Sequence, residues 1–183
     1  MTSVVDASVV VVSGNPRVGS RTSSAAAEVG RQVATRLGAP HPVILELSEV
    51  GGELFAGTRP RTDQYLSTLA RSSVAIIATP VYKASYTGLL KSFLDLYPAG
   101  GLSGVVTVPL VVSASPAHLR AADGHLRTVL SELGTLLPTS SVTLVEAELG
   151  SLDVKLSEWA ARSLDAVSGA VDVLRDEADR VTT

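Results

Sequence analysis

Five stretches of the chain are apolar without alternation, at residues 8–13, 42–47, 73–79, 105–112 and 140–145. A strand that carries Val, Ile and Leu on both faces is buried on both, as in a parallel sheet covered by helices. Between these stretches the apolar positions change to steps of three and four. Ala26, Val29, Val33 and Leu37 mark one face of a first helix, with Gly38 placed to end it. A second helix is predicted over 62–71, with Tyr65, Leu66 and Leu69 inward, and a third over 87–97, with Leu89, Leu90, Phe93, Leu94 and Tyr97. A fourth uses Leu119, Ala122, Leu126, Val129, Leu130 and Leu133 before Gly134. A fifth, over 152–178, uses Leu156, Trp159, Val167, Val171 and Leu174. The tail after Leu174, RDEADRVTT, is expected to fray.

Strands that alternate with helices give a parallel, doubly wound α/β sheet, most simply five strands in the order 2-1-3-4-5 between two helical layers. A chain of 183 residues with 45% apolar residues fits one such domain over its whole length, 1–183. In this topology ligands bind beyond the carboxyl ends of the strands, beside the point where the strand order reverses. The loops after strands 1, 3 and 4 are therefore expected to converge.

Composition narrows the chemistry. Fifteen basic and 18 acidic residues, net −3, are spread along the chain, so no basic stripe is offered to nucleic acid. There is no cysteine, hence no disulfide, thiolate metal site or Cys nucleophile, and redox chemistry must use a borrowed group. No metal site is expected. The amino-terminal stretch MTSVVDASVVVVSG lacks a basic leader, and no apolar run is long enough to cross a bilayer; a soluble, cytoplasmic protein is expected.

The first loop, SGNPRVGSRTSS, runs into a helix whose opening turn presents free N–H groups and a positive dipole end. Gly14 and Gly19 allow tight turning. Asn15, Ser20 and Thr22 supply short polar groups, and Arg17 and Arg21 supply charge. The spacing matches neither the dinucleotide glycine fingerprint nor a Walker loop, so it fits a terminal phosphate of a mononucleotide, or simply a capped helix after a turn. The second loop lies in ATPVYKASYTGLLKSFLDLY. Pro80 ends the strand in an extended approach, and Val81, Tyr82 and Lys83 project over the sheet edge, a wall suited to a flat heteroaromatic ring or to a neighbouring subunit. The third, VVSASPAHLR, carries Ser113, Ala114, Ser115 and His118. A lone His at a helix start is more often a capping or packing residue than an acid–base catalyst.

With these three loops the chain resembles the NAD(P)H-dependent FMN reductases of the flavodoxin-like superfamily, in particular the group that supplies reduced flavin to alkanesulfonate and related two-component monooxygenases. SGNPRVGSRTSS, ATPVYKASYTGLLKSFLDLYP and PAHL…HLRTVLSELG carry the resemblance, over about residues 9–134. It implies that Asn15, Arg17, Ser20, Arg21 and Thr22 hold the FMN phosphate. Pro80, Val81, Tyr82 and Lys83 border the isoalloxazine, and Ser113, Ala114 and Ser115 lie along its pyrimidine side. It also implies NAD(P)H as hydride donor, no catalytic side chain in the usual sense, and a homodimer or homotetramer to which Ser85 and Tyr86 contribute. Two places depart from the family. Val112-Ser113-Ala114-Ser115 stands where Thr-Gly-Gly-Ser/Thr is typical, so that a Cβ crowds the ring. Gly124 follows Asp123 where an aromatic residue or His is common, which points to close approach or an irregular helix. The alternatives are an FMN-bound quinone or azo reductase and a non-catalytic flavodoxin-like module.

Overall fold

A computed structural model describes residues 7–182. The first six residues, part of the amino-terminal stretch discussed above, and Thr183 at the end of the tail lie outside the described residues. The elements run β1 (Val9–Ser13), α1 (Arg21–Leu37), β2 (Val43–Glu46), α2 (Pro60–Ala70), β3 (Val74–Pro80), α3 (Gly88–Leu94), β4 (Val106–Ser113), α4 (Pro116–Glu132), β5 (Val142–Val145) and α5 (Leu152–Thr182). The five strands pair in parallel in the order β2-β1-β3-β4-β5. This is the expected flavodoxin-like topology.

The uninterrupted apolar runs are explained by what lies on either side. Val9 and Val11 of β1 face Ala25, Val29 and Val33 of α1 and Leu156, Trp159 and Val167 of α5. Val10 and Val12 face the other way, toward Leu69 of α2, Leu90, Phe93 and Leu94 of α3, and Leu126 and Leu130 of α4. Every residue of β1, β3 and β4 is buried. Each fully buried Val, Leu or Ile stabilises the fold by about 1.5–3 kcal/mol relative to exposure. Trp159 packs in the α1/α5 layer, 4% exposed, with its indole N–H 3.4 Å from the Ser140 carbonyl.

Element ends follow local chemistry. Ser20 caps α1 by accepting the Ser23 N–H, and Gly38 ends that helix at φ +63°, a left-handed position that costs glycine nothing. Thr87 caps α3, which stops at Leu94, so the predicted helix over 87–97 is a shorter helix followed by turns. The expected fraying of the tail is not observed: α5 continues through Thr182. Gly124 neither marks a close approach nor breaks its helix. It is exposed, a Cβ there would meet nothing within 4 Å, and α4 is continuous across it.

Candidate active site

The first loop folds around its own side chains. Asn15 is 8% exposed; its amide donates to the Thr22 hydroxyl at 3.3 Å, and its carbonyl oxygen accepts the Arg17 N–H at 3.0 Å. The Asx turn thus formed carries the chain over the end of β1 and leaves Arg17 exposed. Ser20 takes the Ser23 N–H, whereas the N–H groups of Ser20, Arg21 and Thr22 belong to the first turn, which has no intrahelical acceptors to offer them. Arg21 reaches across the rim to Glu146, 3.0 Å away. Below the loop Ser13 is fully buried, and its hydroxyl has no hydrogen-bond partner.

The second loop differs from its expected extended course. Pro80 completes β3 in register with Val112, and the Val81 N–H donates to the Val112 carbonyl at 2.8 Å. The chain then reverses within four residues. The Tyr82 N–H donates to the Ser85 carbonyl at 2.8 Å and the Ser85 N–H to the Tyr82 carbonyl at 3.1 Å, with Lys83 at φ +52° and Ala84 at φ +62° between them. Both central residues of this tight hairpin are in the left-handed region usually filled by Asn-Gly. Tyr82 is 48% exposed on its outer side. Ser85 meets His125 of α4 at the surface, Oγ to Nδ1 3.1 Å, and burial raises the Tyr86 phenol above its ordinary pKa.

The third loop is locally satisfied. Ser113 is buried at the end of β4; its Oγ donates to the Ser115 carbonyl at 2.9 Å and accepts the Ser115 N–H at 3.1 Å. Neither Ser113 nor Ala114 has positive φ, so the loop that replaces the family's glycines needs no glycine geometry, and Ala114 is exposed. His118 is exposed on the first turn of α4. Nearby, after β5, the Glu148 carboxylate is held below its usual range by the Val145 N–H and by Lys155.

The three loops meet at one rim. The Gly14 N–H donates to the Ala78 carbonyl of β3 at 2.8 Å, and the Thr87 hydroxyl donates to the Gly14 carbonyl at 2.6 Å. The Thr87 N–H in turn donates to the Thr79 hydroxyl at 3.1 Å. A Cβ on Gly14 would stand 2.8 Å from that of Leu90, so only glycine lets the first loop lie so close to α3. The first and second loops are therefore tied through Thr87, and the second and third through Val81 and Val112.

Residues 7–149 match the family model described as NADPH-dependent FMN reductase. The chain belongs to this family. Among individual relatives, it is 43% identical over 74 residues to FMN reductase (NADPH) of Escherichia coli K12, an alignment covering 40% of this chain and 39% of that enzyme. Against NADH-dependent FMN reductase SfnE of Pseudomonas putida it is 29% identical over 171 residues, covering 89% of this chain and 90% of the relative. The first match spans only about two fifths of the enzyme's length; the second is nearly end to end. Among solved structures, the apo form of NADH:FMN oxidoreductase (EMOB) superposes with a TM-score of 0.73 at 28% identity, over 93% of this chain and 89% of that one. An oxidoreductase from Corynebacterium diphtheriae gives 0.79 at 26%, over 93% and 98%.

As a member of this FMN reductase family, the chain brings together the sequence-predicted groups as follows. Asn15 and Arg17 lie in the first loop, Ser20 caps α1 and Arg21 and Thr22 open it, Pro80 ends β3 with Val81 to Lys83 running into the hairpin, and Ser113 ends β4 with Ala114 and Ser115 after it. Three residues at this rim were not foreseen. Glu46 ends β2, and its Oε1 accepts the Gly19 N–H at 3.3 Å and the Ser23 hydroxyl at 2.5 Å. Glu146 takes Arg21, and Thr87 joins two loops. The signals were present: a single acid interrupting VILEL at the strand end, and a Thr-Gly pair before an apolar helix.

Proposed function

We propose that the protein is an NAD(P)H-dependent FMN reductase whose reduced flavin is passed to a two-component monooxygenase. The observation that carries this reading is the tie from Gly14 through Thr87, which sets a phosphate-type loop beside the Pro80–Lys83 wall. The residues fit the group: first-turn N–H groups, an exposed Arg17 and the orphaned, buried Ser13 hydroxyl gather at one helix start. Pro80 to Lys83 offer an apolar and aromatic border with backbone amides, and Ser113 to Ser115 offer the opposite border.

FMN, when bound, supplies the electron-accepting ring that takes a hydride from the nicotinamide. The chain orients. Arg17 and the Ser20–Thr22 amides fix the phosphate end, and the Asn15 turn holds those amides in place. The hairpin at Tyr82–Ser85 sets the height of the ring wall, since its two reciprocal backbone bonds leave little freedom. No side chain at this rim need exchange a proton with the reacting atoms, and the contribution is positional.

Supply of a monooxygenase rests on the sequence resemblance, while the match to NADH-dependent FMN reductase SfnE supports the reduction of FMN. The test is to titrate the purified protein with FMN and then follow NADH and NADPH oxidation with FMN in excess. Turnover that rises with free FMN supports the reading. Turnover that needs a quinone but no free FMN would make it a bound flavoprotein, and neither binding nor turnover would make it a non-catalytic module. Coupled oxidation of a sulfonated or sulfur-containing substrate with an added flavin-dependent oxygenase tests the final step.

A further inference from the structure

Two carboxylates stand at the helix start where an anion would bind. Glu46 is the last residue of β2 and the register partner of Ser13 at the end of β1, so it leans over the same rim as the first loop. Its Oε1 takes the Gly19 N–H and the Ser23 hydroxyl; its Oε2 is buried without a hydrogen-bond partner, as is the adjacent Ser13 hydroxyl. Glu146 follows β5 at the far edge of the sheet and takes the Arg21 guanidinium. The two acids come from opposite edge strands, yet both bind groups at the start of α1, the end whose dipole favours negative charge.

We propose that the first loop is a self-occupied anion site: Glu46 and Glu146 hold part of its donor set in the free protein, lower its affinity for the FMN phosphate, and so make FMN an exchanging substrate in place of a resident group. This rests on the flavin reading given above. A phosphate entering the loop must share the Gly19 and Ser23 donors with a like charge or displace it. Arg21 must leave Glu146 before it can turn to the phosphate. What stays available without exchange is Arg17, which is exposed and makes no ion pair among the described residues, together with the Ser20, Arg21 and Thr22 amides. The effect of Glu46 exceeds that of Glu146. Its carboxylate is partly buried and weakly screened, whereas the side chains of the Arg21–Glu146 pair are 68% and 46% exposed and screened by solvent and salt.

The experiment measures Kd for FMN and for riboflavin, the same ring without phosphate, by flavin fluorescence quenching in the wild type, Glu46→Gln and Glu146→Gln. Glutamine keeps an acceptor for Gly19 and Ser23 while removing the charge. FMN is expected to bind about tenfold more tightly to Glu46→Gln, the size of one charge-assisted contact, with riboflavin unchanged. For Glu146→Gln the expected gain is about two- to threefold, in line with an exposed pair. Unchanged or weaker FMN binding to Glu46→Gln, or an equal gain for riboflavin, overturns the proposal. Should Glu46→Gln fail to fold by circular dichroism, the exposed Glu146→Gln decides: no gain for FMN there overturns it. Failure of every variant and of the wild type to bind either flavin overturns the flavin reading and this inference together.

Discussion

Residues 14–20 turn by means of side chains that accept backbone N–H groups, Asn15 for Arg17, Ser20 for Ser23 and Glu46 for Gly19. Residues 82–85 turn by backbone alone, with Lys83 and Ala84 held at positive φ and no local side chain to relieve them. The first loop is thus stabilised by polar satisfaction and can rearrange by exchanging partners. The second carries strain and is held by its surroundings, namely the Val81–Val112 bond on one side and the Ser85–His125 contact on the other. Two walls of one site can therefore differ in kind, one adaptable and one preset.

The sharpest way to break this arrangement is to force the two walls apart. Gly14→Ala places a Cβ against Leu90 and near the Ala78 carbonyl, and is expected to destabilise the protein by about 1–3 kcal/mol in urea unfolding, the range for an overpacked core. Next is the tie itself. Thr87→Val removes the hydroxyl that serves the Gly14 carbonyl and caps α3, for an expected loss of about 1–2 kcal/mol, while Thr87→Ser should recover most of it. If Thr87→Ser behaves like the valine, the hydroxyl is not what joins the loops.

A reciprocal pair compares strain directly. Ala84→Gly should stabilise the free protein by up to about 1 kcal/mol, because glycine occupies φ +62° without penalty, whereas Gly19→Ala at φ +63° should lose a similar amount despite open space for its methyl. Thermal melts of both decide whether the hairpin is preset. The smallest expected change is in Asn15→Ser, which keeps an acceptor for Arg17 but loses the bond to Thr22. About 0.5 kcal/mol of stability should go, with the loop still formed.

The sheet was legible because each strand is a solid apolar run, and solid runs mean two covered faces. Strand order followed from parallel pairing and right-handed crossovers. Ser20 and Thr87 cap α1 and α3, and the cross-loop role of Thr87 was hidden because its partner, Gly14, is 73 residues away. The hairpin at Lys83–Ala84 was invisible for a different reason: tight reversals of this kind announce themselves with Asn or Gly, and here tertiary contacts impose the geometry on residues that resist it. Glu46 was missed because a carboxylate at an edge-strand end looks like ordinary surface charge until the loop that folds over it is known. The tail was expected to fray as chain ends often do, whereas the last helix runs through Thr182.

The chain has one indole, and Trp159 lies wholly on the α1/α5 side of the sheet. Its emission is therefore a built-in reporter for that layer, blind to events confined to α2, α3 and α4. A denaturation curve followed by this fluorescence and again by far-ultraviolet ellipticity would coincide only if both faces of the sheet come undone as one cooperative unit.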